Sequence, residues 1–166
     1  MNRHRLLFSC LTVLMMTPLG ALATAQAGGQ HAAEVDPRIG TGGDGHLFPG
    51  ATVPFGMIQL SPDTAMPDFK HAYKWAAGYQ YNDPTIMGFS HTHFSGSGHS
   101  DLGDVLVMPI AGDVKLDPGD EKIPGSGYRS RFDHATEVEQ PGYYAVTLAD
   151  YGVRAELTAN RRVGWH

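Results

Sequence analysis

The chain has 166 residues and a single cysteine, Cys10, which lies inside an apolar run near the N-terminus. No disulfide framework is therefore available, and any stability must come from a buried core. Charge is also scarce, at 17% of residues, and the formal net charge is −5. The basic residues are scattered rather than clustered, which argues against nucleic acid as a partner. Extended helical patterns are missing too. With 21 Gly and 11 Pro, helices longer than two turns are costly, whereas turns, bulges and short strands use these residues, so composition favours an all-β class. Seven Tyr, seven Phe and two Trp supply aromatic area that disordered chains lack.

Residues 1–27 read as a secretory signal peptide. Arg3, His4 and Arg5 form a basic start, Leu6 to Leu19 is apolar, and Ala23-Thr24-Ala25 and Ala25-Gln26-Ala27 both offer small-x-small cleavage sites. The apolar run is shorter than the ~20 residues a membrane span needs, and Pro18 and Gly20 break it. The expectation is export to the periplasm or the medium, with no membrane span. Residues 28–34 then serve as a linker, and 35–166 suit one domain. The end, at Arg161-Arg162-Val163-Gly164-Trp165-His166, has no closing segment after a strand-like alternation, so the domain is expected to be partial.

Several strands are legible. Tyr144, Val146 and Leu148 share one face, Ala149 to Gly152 turns, and Val153, Ala155 and Leu157 alternate with polar residues, which together read as a hairpin. Asp104 to Ile110 reads as a short buried strand ended by Pro109. Val53 to Leu60 reads as an edge or bulged strand because it contains Pro54 and Gly56. Lys115 to Gly127 reads as a loop.

Three segments carry candidate chemistry. Ile39 to Gly50 holds five glycines, but no Gly-Lys-Ser/Thr and no following helix, so it fails as a phosphate loop. It is either a tight irregular loop or one facing a substrate. In Phe89 to Asp104, an extended backbone would project His91 and His93 from one face, with His99 and Asp101 following. This resembles the first half of a cupin metal motif, which needs a Glu three or four residues after the second His, where Gly96 and Ser97 stand. His91, His93 and His99 are the candidate metal ligands, with polar packing or ligand binding as the alternatives. Third, Trp75 stands before small residues and Tyr79 and Tyr81. Its open ring suits stacking on a sugar, while the two tyrosines alternate as core residues would.

The order of the longer motifs resembles one family. Val35-Asp36-Pro37-Arg38-Ile39-Gly40-Thr41-Gly42-Gly43, Phe48-Pro49-Gly50-Ala51-Thr52-Val53-Pro54-Phe55-Gly56-Met57, Ser61-Pro62-Asp63-Thr64, Gly88 to Gly96, Asp101-Leu102-Gly103-Asp104 and Pro141-Gly142-Tyr143-Tyr144 look like the N-terminal domain of glycoside hydrolase family 92. The resemblance implies a β-sandwich similar to the galactose-mutarotase fold, packed on an (α/α) barrel absent from this chain. It also implies an exported, calcium-dependent α-mannosidase acting with inversion on terminal mannosides of N-glycan or mannan type. The general acid, the general base and most calcium ligands would lie in the barrel, so no catalytic residue is assigned here, Asp101 and Asp104 included. The resemblance implies Trp75 and main chain of Gly42 and Gly43 as part of the surface for a mannose-containing glycan, and His91 and His93 join them as candidate substrate contacts from their own segment. Arg38 departs from the aromatic expected there, and Ala76 from the Cys often found beside the Trp. A stand-alone carbohydrate-binding module and a cupin-like metal enzyme using His91 and His93 remain the other classes.

Overall fold

The computed structural model describes residues 29–64, 77–96 and 102–166. After a single helical turn at Gly29–Ala32 (α1), the described residues form nine short strands. These are β1 (Ala51–Thr52), β2 (Gln59–Asp63), β3 (Thr85–Ile86), β4 (Gly88–Ser90), β5 (Ser130–Arg131), β6 (Val138–Gln140), β7 (Tyr143–Leu148), β8 (Val153–Ala159) and β9 (Gly164–Trp165). All pairings are antiparallel. One sheet runs β1-β2-β4, a second runs β6-β7-β8-β9, and β3 pairs with β5.

The second sheet follows directly from local sequence. Pro141-Gly142 turns β6 into β7 with Gln140 opposite Tyr143, and Gly142 takes a left-handed φ of 78° that glycine adopts without strain. Leu148 pairs with Val153 across the next turn, so the register follows the alternation of apolar residues in β8. Ala155 and Leu157 point inward while Arg154, Glu156 and Thr158 face solvent. Tyr144, Val146, Leu148, Ala155 and Leu157 then meet Ala51, Leu60, Ile86 and Phe89 from the other strands in one core. Phe89 and Tyr144 lie with ring centroids 6.5 Å apart and tilted by 54°. This apolar layer between two antiparallel sheets makes the chain an all-β sandwich.

Two strand expectations need correction. Val53 to Leu60 is not one strand: Val53–Gly56 is a turn, closed by the Gly56 amide donating to the Val53 carbonyl at 3.0 Å. Proline and glycine here form the bend of a β1–β2 hairpin rather than interrupting a strand. Asp104 to Ile110 is not a buried strand either. Val105 has a φ of 56°, which ends regular extension, and Val105 is 69% exposed. Among the described residues Val107 bridges back to β4 at Phe89, and the His91 amide just past β4 donates to the Asp104 carbonyl at 3.0 Å. A continuous apolar run looks the same in sequence whether it is buried or uncovered, and among the described residues no strand covers Val105 to Val107. The hairpin at Tyr143–Ala159 and the loop at 115–127 stand as expected.

Candidate functional site

The first sheet ends in a polar knot. Asp63 closes β2, and its Oδ2 accepts the Ser90 amide at 3.0 Å while its Oδ1 lies 3.0 Å from Nε2 of His93. The His93 Nδ1–H donates to the Gln59 carbonyl at 2.7 Å, and Ser90 Oγ sits 3.2 Å from Nε2. Only 1% of the His93 side chain is exposed. Gly78 is what lets the chain pass this knot. A Cβ there would lie 2.3 Å from Asp63 Oδ1 and 2.8 Å from the His93 ring, and its φ is 69°. Next to it, Thr64 donates to Asp83 at 2.6 Å and accepts the Gln80 amide at 3.0 Å. Burial raises the Asp83 carboxyl above its usual range, partly offset by the Thr64 hydrogen bond.

His91 and His93 do not form the side-by-side pair that an extended backbone would give. β4 ends at Ser90, the chain bends, and the two rings diverge. The His91 Nδ1–H donates to the Val105 carbonyl at 3.0 Å, and its Nε2 lies 3.3 Å from Nε2 of His166. Burial, followed by the neighbouring His91, lowers the His166 pKa. Each histidine thus has both nitrogens engaged, with different partners. His99, Asp101 and Trp75 lie outside the described residues. Among the described residues no three His, Cys, Asp or Glu side chains converge as a metal site would require.

The glycine-rich segment is a tight loop with an open side. The Leu47 amide donates to Gly40 at 3.1 Å and the Gly45 amide to Gly42 at 3.2 Å. A Cβ on Gly45 would fall 2.2 Å from the Gly40 carbonyl, so that crossing needs glycine. The loop is tied to the Tyr79–Tyr81 segment by the Tyr81 amide donating to Thr41 at 2.9 Å and by Gln80 Nε2 donating to Gly43 at 3.3 Å. Gly42 faces a cleft of about 310 Å³ with Arg38, Thr41 and Tyr81. A second cleft of about 580 Å³ runs past Phe48, Gln59, Phe94 and Gln140.

Behind Tyr81 lies a group of residues not singled out from the sequence. Glu137 is buried, with 1% of its side chain exposed, and accepts hydrogen bonds from Tyr79 at 3.1 Å, from Tyr144 at 2.5 Å and from His134. Burial, reinforced by the Glu137 charge, pushes both tyrosine hydroxyls above their usual range. The same two causes raise Glu139. His134 in turn stacks on Tyr81, with centroids 4.0 Å apart and planes 9° from parallel. Tyr79 is therefore a core residue, as its alternation suggests, but Tyr81 is half-buried and lines the cleft. His134 and Tyr144 stand three and seven residues from Glu137, but Tyr79 is 58 residues away, so the cluster as a whole had no local signature.

The glycosyl hydrolase family 92 N-terminal domain model matches residues 34–166. The chain belongs to this family. An α-mannosidase of family GH92 from Bacteroides thetaiotaomicron, solved in complex with mannoimidazole, is 51% identical and superposes with a TM-score of 0.74 over 80% of this chain and 17% of its own. A family GH92 inverting mannosidase from the same organism is 27% identical, with a TM-score of 0.56 over 78% of this chain and 16% of its own. An uncharacterised secreted glycosidase of Arthroderma benhamiae is 31% identical over 149 residues, 89% of this chain and 18% of that protein. The chain thus spans less than a fifth of the relatives it matches. Among its described residues no helix is long and apolar enough to cross a membrane.

Proposed function

We propose that the chain is the N-terminal sandwich of an exported, inverting α-mannosidase that removes terminal mannose from N-glycans or mannans. The family 92 match, with a 51% identical α-mannosidase among the solved relatives, is the observation that carries this reading. A relative described as an inverting mannosidase and another described as secreted support inversion and export. Export also agrees with the signal-like residues 1–27, which lie outside the described part.

In this reading the sandwich contributes sugar contacts and the remaining chain contributes the chemistry. Inverting hydrolysis needs an acid and a base carboxyl roughly 6.5–9.5 Å apart, with room for a water between them. The buried carboxyls described here are already committed: Asp63 to Ser90 and His93, Glu137 to two tyrosines and His134. Calcium takes six to eight oxygen ligands, and these committed oxygens do not fit that need, so the ion's ligands are assigned to the rest of the parent protein. Trp75, Gly42, Gly43 and His91 form the proposed glycan-facing set. His93 has a structural part instead, holding the ends of β2 and β4 together through Asp63 and Ser90.

A chimera tests the reading. Residues 34–166 would replace the corresponding segment of the 51% identical Bacteroides α-mannosidase. Hydrolysis of an α-mannobiose by the chimera, with inversion seen by proton NMR and loss on chelation, is the expected result. The isolated chain should show no turnover of an aryl α-mannoside. A folded chimera without activity, or turnover by the chain alone, would count against it.

A further inference from the structure

Two imidazoles 75 residues apart in the chain meet beside β9, at the edge of the second sheet. His91 stands just past β4 and His166 just past β9. Their Nε2 atoms are 3.3 Å apart and their ring centroids 4.9 Å apart, so the nitrogen edges of the two rings face each other. The His91 ring is held in place. A carbonyl can only accept, so the 3.0 Å contact with Val105 puts the His91 proton on Nδ1 and leaves Nε2 of the neutral ring as the bare nitrogen. Val105 presents that carbonyl from a φ of 56°, an unusual conformation for a β-branched residue. The β9 backbone packs on the same ring, since a Cβ on Gly164 would lie 3.1 Å from His91 Cδ2. Burial, followed by the neighbouring His91, lowers the His166 pKa, so this ring too is uncharged at neutral pH.

The spacing decides what the pair suits. A separation of 3.3 Å is long for a direct hydrogen bond, whose usual span is ~2.7–3.2 Å. Two nitrogens bound to one tetrahedral zinc at ~2.0–2.1 Å lie about 3.3 Å from each other. Square-planar copper or nickel would draw neighbouring nitrogens in to about 2.8 Å. Calcium takes oxygen ligands and gains nothing from imidazoles. The Val105 carbonyl acts on His91 as outer acceptors act in zinc sites, fixing the tautomer and the ring direction. Among the described residues no third His, Cys, Asp or Glu joins the two, so this is no closed structural site, and water would complete the coordination. His166 lines a cleft of about 220 Å³ that has room for such water. We propose that Nε2 of His91 and Nε2 of His166 bind one exchangeable zinc ion, which pins β9 to the segment that follows β4. Zinc here requires nothing of the glycan reading, since only two imidazoles and water take part, although a sugar hydroxyl on His91 Nε2 would compete with the ion.

The full chain, free of any affinity tag, would be titrated with zinc chloride and followed by calorimetry, by melting temperature and by nitrogen NMR of the imidazoles. A single equivalent of zinc should bind, raise the melting temperature by mass action and shift Nε2 of His91 and of His166 together. His166 is exposed, so His166→Gln should keep the zinc-free melting temperature while weakening zinc binding about tenfold or more. His91→Gln should weaken binding equally, and it also removes the Val105 contact, so its melting temperature is compared with and without zinc rather than with the wild type. His31→Ala, which changes an exposed histidine of α1, should bind zinc as the wild type does. Zinc binding that His166→Gln leaves intact, binding lost in His31→Ala, or shifts confined to one of the two rings would overturn the site. So would a folded wild-type chain that takes up no zinc at large excess, and the glycan reading would stand in each case.

Discussion

The two sheets of this sandwich are held by different physics. The β6–β9 sheet is a ladder whose inward residues, Tyr144, Val146, Leu148, Ala155 and Leu157, are apolar apart from one phenol hydroxyl. The β1-β2-β4 side has strands of two to five residues, and its joints are buried polar contacts: Asp63 with His93 and Ser90, Thr64 with Asp83. Apolar burial tolerates imprecision because it scales with area, whereas a buried polar knot fails when one partner is lost. The glycine-rich loop and its cleft are tied to both sides, to Thr64 past β2 through Gln80 and to Glu137 and Tyr144 beside β6 and β7 through His134, so buried polar contacts are concentrated beside the candidate site.

His93→Ala should show the largest effect. It leaves the Asp63 carboxylate buried with fewer donors and opens a cavity, and a loss of about 3–5 kcal/mol is expected from urea unfolding. Leu157→Ala, the matched change on the apolar side, should cost about 2–4 kcal/mol. If Leu157→Ala proved clearly the more damaging of the two, the contrast between the sides would fail. The order of size then reaches Asp150, which accepts the Arg131 amide and Nε, each at 2.8 Å, and joins β5 to the β7–β8 turn. The Arg131 hydrogen bond holds its carboxyl below the usual range. A depressed folded pKa means that stability is present above the unfolded value of about 3.9 and lost as pH falls through the folded one. Asp150→Asn should therefore flatten the acid limb of a melting-temperature profile and cost less near neutrality than either core change. An acid limb with the wild-type slope would remove Asp150 from the account.

The smallest effect carries the opposite sign. Phe55 has a φ of 60° at the tip of the β1–β2 turn and is fully exposed, at 103% of its reference area. Its ring adds nothing to this core, and an L-residue there costs about 1–2 kcal/mol of backbone strain. Phe55→Gly should raise stability slightly, by about 0.5 kcal/mol after the entropy of glycine is counted. A loss of stability in this variant would mean that the ring packs against something within the chain.

The hairpin from Tyr143 to Ala159 was legible because side-chain alternation has a period of two, and one buried face imposes it on neighbouring residues. The loop at 115–127 was legible from its glycines and prolines, and the family from ordered motifs spread along the chain. The apolar run from Asp104 to Ile110 misled because burial depends on whether another element covers a strand, which no local pattern states. His91 and His93 misled for a related reason: their shared face required extension past Ser90, and the chain bends there to bury His93.

Composition and local pattern thus determined the all-β class and the β7–β8 register, since turn chemistry and alternation act between neighbours in sequence, while the family showed as a resemblance of ordered motifs spread along the chain. Only the tertiary structure decided that Gly78 makes room for Asp63 and His93, and that Glu137 gathers Tyr79, Tyr144 and His134 beneath Tyr81. Tyr79 lies 58 residues from Glu137 and His93 30 residues from Asp63, so these partners meet only in the fold, although His134 and Tyr144 are near Glu137 in the chain. A buried polar atom takes whichever partner folding brings within hydrogen-bonding distance, and that partner is set by how the sheets pack rather than by anything beside it in the sequence.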